Sequence, residues 1–409
     1  MTALADCEAR DAADPLAHFR DRFALPEGVI YLDGNSLGAL PRATAGHVAR
    51  VIEAEWGTGL VRSWNEADWY GAPQRVGAKI ARLIGAHEDE VIVADSTSVN
   101  LFKLLRAVLS ADPALRTIVT EPGNFPTDLY IAQGIARDDP GVRVQVVPRE
   151  ELAGAAGPAT LVLLTHVHYR TGERYDMAAV DRAVKERGGI VVWDLSHSIG
   201  AVELDLAADG AELAVGSGYK YLIGGPGAPA VLYVARRLQP ALNSPLTGWL
   251  GHARPFDFTD DYVPAAGIDR FACGTPPILG LAALECGVDL MLEADMRLLA
   301  AKGQALCGLF IEQVEIRCAG HGLELVTPRD PGARGSHVSF RHPHAYAVMQ
   351  ALIARGVIGD YREPEIIRFG FAPLYNGFAE AWRAAEALAE VLAGRAWEDG
   401  AHRIRSRVT

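Results

Sequence analysis

An acid and a lysine, Asp194 and Lys220, lie 26 positions apart, and each stands in a setting that suits one kind of chemistry. Asp194 follows GIVVW, an apolar, β-branched run that reads as a buried strand ending in a carboxylate. Lys220 lies in AELAVGSGYKYLIGGPGAPAVLYV, residues 211–234, between two more strand-like runs and just before a glycine-rich turn. A carboxylate at a strand end can hold a pyridinium nitrogen protonated, which makes the ring an electron sink. A lysine on the next loop can form a Schiff base with an aldehyde. The pair therefore predicts pyridoxal 5'-phosphate (PLP) as cofactor. Burying Asp194 is costly unless a cation meets it, as a pyridinium does; the plainer alternative is an aspartate on a surface turn.

Other residues fit the same cofactor. Ser96-Thr97-Ser98 falls between a strand and a helix, where free N–H groups and hydroxyls form an anion site. Thr97 and Ser98 are the expected phosphate contacts; an N-cap with nothing bound is the alternative. Phe125-Pro126-Thr127-Asp128 puts a ring that could stack on the pyridine beside an acid that could meet its oxygen side, although Phe-Pro pairs are common in loops. His197, three residues past Asp194, could orient that acid, touch the phosphate or fill a polar corner. Tyr219, next to Lys220, could bond the phosphate or donate a proton. Arg368, in EIIRFGFAPLYN, could clamp a substrate carboxylate with its fork, or lie on an exposed strand face.

The surrounding elements explain why these residues would meet. Residues 75–85 read as an amphipathic helix, 90–95 as a strand and 96–109 as a helix. Strand-like RTIVTE, RVQVVP and ATLVLLTHVHY follow, then the helical DMAAVDRAVKERGG. Such alternation over residues 90–235 predicts βαβ units and a mostly parallel sheet with helices on both faces, which gathers ligands at its carboxyl edge. Beyond residue 276 comes a long helical stretch, ILGLAALECGVDLMLEADMRLLAAKGQALCGLFIEQV. It leads into strands near LELVT, HVSFR and IIRFGF and a closing helix in GFAEAWRAAEALAEVLAG. The expected organisation is an N-terminal segment, 1–30, packing with the small domain; a large PLP-binding domain, 31–275; and a small C-terminal α/β domain, 276–409.

Composition narrows the setting. With 51 acidic and 39 basic residues the net charge is −12, which argues against a nucleic-acid binder. No apolar run approaches the ~20 residues of a membrane span, and MTALADCEARDAADPLAHF has no apolar signal region. Five cysteines without CxxC spacing predict reduced thiols and a cytoplasmic protein.

Taken together, the chain resembles the kynureninases, within the fold-type I (aspartate aminotransferase-like) PLP superfamily. The match rests on YLDGNSLGALP at 31–41, STSVNLFKLL at 96–105, NFPTD at 124–128 and HVHYRTGERYDM at 166–177. It continues through WDLSHSIGAVELDL at 193–206, GSGYKYLIGGPGAP at 216–229, LTGWLGH at 246–252, GTPPILG at 274–280 and IIRFGFAPLYNGF at 366–378. The resemblance implies hydrolytic cleavage of L-kynurenine, or its 3-hydroxy derivative, to an anthranilate and L-alanine. It implies that Lys220 forms the Schiff base and Asp194 pairs with the ring nitrogen. Thr97, Ser98, Thr165, His197 and Tyr219 would surround the phosphate and ring, with Phe125 stacking and Asp128 nearby. Arg368 would bind the substrate carboxylate and Ser36 would line the substrate pocket. Trp249 and Thr275 would come from the other subunit of a homodimer with composite sites. Three rivals stand beside it. A cysteine desulfurase would need a reactive thiol, for which Cys318, read as a strand-end core cysteine, is the candidate. The others are an aminotransferase and a PLP-fold sensor joined to a DNA-binding module, which the acidic charge and the lack of a helix-turn-helix segment disfavour.

Overall fold

The computed structural model describes residues 2–405. Its first strand, β1 (Ile30–Tyr31), precedes seven that form one sheet. These are β2 (Val91–Ala94), β3 (Thr117–Thr120), β4 (Arg143–Val146), β5 (Thr160–Thr165), β6 (Ile190–Asp194), β7 (Leu213–Gly216) and β8 (Ala230–Val234). Their order is β2-β8-β7-β6-β5-β3-β4. The pairings from β7 through β4 are parallel, and only β8 is reversed, between β7 and β2. The carboxyl ends of β2 and β7 thus open on the same edge.

The strands are continuous apolar runs because both faces of the sheet are covered. In β5, Leu161 and Leu163 face one core with the helices Thr97–Ala111 and Pro126–Asp138. Val162 and Leu164 face the other, with the helices Ala72–Leu83 and Met177–Lys185. The strand expected to run through HVHY stops at Thr165. Its partner β6 ends at Asp194, directly opposite Thr165, so the ladder has nothing further to bond.

A second sheet follows, with β9 (Glu324–Leu325), β10 (His337–Arg341), β11 (Val357–Ile358), β12 (Asp360–Arg362) and β13 (Ile366–Gly370). Four of them form an antiparallel sheet, β12-β13-β10-β9, while β11 pairs in parallel with β1. Alternation gives this sheet two unlike faces. Val338, Phe340, Tyr361, Ile367 and Phe369 pack into a separate core with the helices Met296–Arg317, Ala345–Ile353 and Phe378–Ala393. His337, Ser339, Asp360, Arg362 and Arg368 occupy the opposite face, which abuts the loop after β5: the Thr327 hydroxyl donates to the Thr171 carbonyl, 2.7 Å, and Gly335 N–H to the Gly172 carbonyl, 2.8 Å.

The long helical stretch is two helices, Ile278–Leu292 and Met296–Arg317. Asp295 breaks it by accepting from the Arg297 N–H at 2.8 Å, an N-cap inside otherwise unbroken apolar periodicity. The first of these helices packs on the seven-stranded sheet, and core residues of that side run on through Leu299. Residue 276 thus stands just before a helix rather than at a change of core. The N-terminal segment is shared: Cys7 joins the second core, while Leu16, Phe19 and Phe23 join the first. Among the described residues no helix is long and apolar enough to cross a membrane.

Candidate active site

The carboxyl ends of β2, β5, β6 and β7 surround a cavity of about 160 Å³. Asp194, the last residue of β6, is 2 % exposed and accepts from the Ser196 N–H at 2.7 Å. Burial pushes its carboxyl above the usual range, with the Lys220 charge pulling the other way. Asp128 enters from the first turn of the helix Pro126–Asp138, with Pro126 starting that helix at a position where its missing N–H costs nothing. It is fully buried and accepts from the Thr165 hydroxyl at 3.2 Å, while its Oδ1 has no partner. Burial, then the charge of Asp194, pushes the Asp128 carboxyl well up.

Lys220 follows β7 by four residues, in a loop fixed from both sides. The Gly38 N–H donates to the Tyr219 carbonyl at 3.0 Å, and a side chain at Gly38 would lie 2.5 Å from the Lys220 carbonyl. Only glycine lets YLDGNSLG lie this close. Lys220 Nζ is 3.2 Å from His197 Nε2 and 5.6 Å from the centre of the Phe125 ring. Burial lowers the Lys220 amine to about 8, with Asp194 opposing and Arg368 and Arg362 adding to the shift. His197 also lies 3.1 Å from the Asn35 carbonyl; its Nδ1 is buried without a partner, and burial together with the Lys220 charge keeps the ring neutral.

Hydroxyls gather at the start of the helix Thr97–Ala111. Ser96 caps it by accepting from the Val99 N–H. Thr97 lies 3.2 Å from the Ser217 hydroxyl, which donates to Ser196 at 2.9 Å. Ser98 and Thr127 line the same space. Phe125 meets Tyr169 edge-on, with ring centres 5.1 Å apart. Ser196, Ser217 and Tyr169 line the cavity although the sequence reading passed over them. Ser196 and Ser217 each sit just beyond a strand carboxyl end, the rule that had picked out Asp194.

Arg368, on β13, is 1 % exposed. Its Nε donates to Asp360 at 2.8 Å, Nη2 reaches both Asp360 and the Ser36 hydroxyl, the latter at 3.1 Å, and Nη1 reaches the Tyr169 carbonyl. The guanidinium expected to face a cleft thus already meets a carboxylate of its own chain. Trp249 and Thr275 are exposed and do not reach this cavity. Trp249 packs edge-on against Phe256, and Thr275 borders a separate cavity beside Asp95 and Cys273. Cys318 is not at a strand end. It caps the helix Met296–Arg317 at its C-terminus, where burial pushes the thiol up to about 12. Among the described residues no cluster of His, Cys, Asp and Glu could hold a metal ion.

This arrangement fits PLP by its own chemistry. A buried carboxylate, a buried lysine and a hydroxyl-lined helix start face one space, and two buried atoms there, Asp128 Oδ1 and His197 Nδ1, have no partner in the protein.

Comparison with known proteins carries the argument past geometry. Residues 299–388 match the family described as "Kynureninase C-terminal domain". The kynureninase of Pseudomonas fluorescens is 52 % identical over the full length of both chains, as is that of Burkholderia mallei strain SAVP1. An apo cysteine desulfurase from Thermococcus onnurineus NA1 superposes with a TM-score of 0.79 at 20 % identity, covering 92 % of this chain and 98 % of that one. That likeness carries the fold, the mostly parallel α/β sheet with a smaller α/β region expected from the sequence.

Proposed function

This chain belongs to the kynureninase family, and from that premise we propose how its residues share the hydrolytic cleavage of L-kynurenine between Cβ and Cγ. It is a PLP-dependent hydrolase acting on a carbon–carbon bond. The observation that carries the reading is Lys220 and Asp194 buried in one cavity of a chain 52 % identical to a kynureninase along its whole length. Desulfurase chemistry falls away with the buried, unreactive Cys318.

Bound PLP supplies an electron sink for the pair left at Cα when its proton departs. Lys220 Nζ, whose amine burial lowers to about 8, would hold the cofactor aldehyde and accept the Cα proton. Asp194 would hold the proton on the ring nitrogen, an ion pair that would account for a carboxylate buried so deeply. Thr97, Ser98, Ser196 and Ser217 would receive the phosphate, and Phe125, Asp128, Thr165 and His197 would hold the ring. Arg368 and Ser36 hold the substrate carboxylate. Water adds to the Cγ carbonyl, the Cβ–Cγ bond breaks with its electron pair left on Cβ, and Cγ departs as the new carboxylate of anthranilate. Burial keeps the Tyr219 phenol protonated at neutral pH, so it can hand its proton to Cβ and complete L-alanine.

The working form is a homodimer in which Trp249 and Thr275 complete the partner's site. In support, Trp249, Phe256 and Phe258 leave large apolar surface exposed on one loop. We place the enzyme in the cytoplasm, in keeping with five free thiols, and set the change from large to small domain inside the helix Met296–Arg317, between Leu299 and Leu306. The test is to incubate PLP-loaded protein with L-kynurenine and follow anthranilate fluorescence and L-alanine together. Equimolar products are expected; no anthranilate from protein that holds PLP would overturn the reading.

A further inference from the structure

The polar face of the four-stranded sheet carries two arginines, and the reading above uses one. We propose that Arg362 is a second cation for the substrate carboxylate, and that Asp360 is a positioning residue that holds Arg362 and Arg368 as one pair. The inference rests on the reading that Arg368 marks the carboxylate end of the site.

Register places the three together. Asp360 on β12 lies directly opposite Arg368 on β13, and Arg362, two residues on, shares that face. Asp360 takes the Nε edge of Arg368, and its Oδ2 also lies 2.9 Å from Arg362 Nη2. The Ser36 hydroxyl donates to the same Oδ2 at 2.6 Å and accepts from both arginines at 3.1 Å. One carboxylate and one hydroxyl thus fix two guanidinium groups.

Charge shows what the pair lacks. Burial alone would raise the Asp360 carboxyl, but Arg368 and Arg362 outweigh it and hold it at about 2, so it is ionised. Asp33, the other acid here, is pushed well up by burial and then by Asp360, and its Oδ1 has no partner. Two guanidinium groups share the single Asp360 carboxylate, which leaves room for a substrate carboxylate as a second anion. Arg368 cannot meet it unaided, since its side chain is 1 % exposed, whereas that of Arg362 is 32 % exposed. Neutralising Asp360 does not require Arg362, because Arg368 already grips it with two nitrogens. The charge of Arg362 is also felt at Lys220 and Tyr219, where it helps to lower the Lys220 amine and opposes the rise at the Tyr219 phenol.

The test uses PLP-loaded Arg362→Gln and Asp360→Asn, each compared with wild type in three measurements. These are KM and kcat for L-kynurenine, Kd for L-alanine from the cofactor absorbance, and the same absorbance response to ethylamine, which has no carboxylate. For Arg362→Gln we expect KM and the L-alanine Kd to rise at least about tenfold, with kcat within about threefold and the ethylamine response unchanged. Arg362→Lys should recover part of the loss. Asp360→Asn should raise both constants in the same pattern, and Asp360→Glu should partly restore them. KM and Kd within about twofold of wild type in both variants would overturn the proposal. So would an ethylamine response that weakens in parallel, since the defect would then be in the site as a whole. Wild-type protein that binds PLP but leaves L-kynurenine intact would sink the kynureninase reading, while the L-alanine and ethylamine titrations would still decide this one.

Discussion

The central strands of the seven-stranded sheet are apolar on both faces, and the residues lining the cavity stand at or beyond their ends. The four-stranded sheet is apolar on one face and delivers its polar groups from the middle of the other. Asp194 and the loop of Lys220 belong to the first kind, Asp360, Arg362 and Arg368 to the second. Residues at strand ends sit on loops, so their neighbours can change while the sheet stays intact. Residues on a face are tied to register: a slip of one position would turn Arg368 into the core and Phe369 into the site. The Lys220 end is thus one that loops can adjust, and the Arg368 end has a geometry that the sheet itself fixes.

Substitutions can separate the two designs. Lys220→Ala, at the sheet edge, is expected to lower turnover by at least about 10³-fold and to abolish covalent cofactor absorbance, while the denaturant midpoint shifts little. Steady-state turnover within tenfold of wild type would break the comparison at its strongest point. Phe369→Ala, on the core face of the small sheet, does the reverse. Phe369 is fully buried, with its ring 4.8 Å from that of Phe310. Its loss should cost about 3–5 kcal/mol in urea unfolding, with KM unchanged at a temperature where the variant stays folded.

Acidity tests the cofactor end alone. Lys220 reacts as the free amine, and burial lowers its pKa to about 8, so capture of PLP by the apo-protein should rise with pH and level off above that value. Below it, the rate should fall about tenfold per pH unit. A stopped-flow absorbance profile with its midpoint near that of an ordinary lysine would mean that the amine is not buried as described. The smallest effect is expected from Ser217→Ala, which removes the hydroxyl between Thr97 and Ser196. PLP affinity should fall about fivefold, with KM for L-kynurenine unmoved.

The sequence disclosed the edge design more fully than the face design, for a physical reason. A polar residue shortly past an apolar run is a local pattern, and Asp194, Lys220 and Ser96-Thr97-Ser98 all show it. Ser196 and Ser217 obey the same rule but resemble ordinary loop serines until the strands are placed side by side. Nothing local identifies Asp360 as the partner of Arg368. That pairing depends on the register of a three-residue strand, too short to announce itself by periodicity. The helix break at Asp295 stood in the sequence as an acid before a helical run, masked by leucines that continue the apolar pattern across it. Trp249 and Thr275 came from resemblance, and within one chain they stand apart from the cavity.

Ser36 and Asp360 are hydrogen-bonded across 324 positions of sequence, and the strand that leads to Ser36 pairs only with β11. On the ribosome, β1 has therefore emerged long before the residues it needs exist. A nascent chain stopped short of residue 357 holds Asp194, Lys220 and the hydroxyl cluster but has no strand to seat Ile30 and Tyr31. Such a fragment has the strand-end residues and lacks Asp360, Arg362 and Arg368, so the polar face of the small sheet is the last part of this region to be made during synthesis.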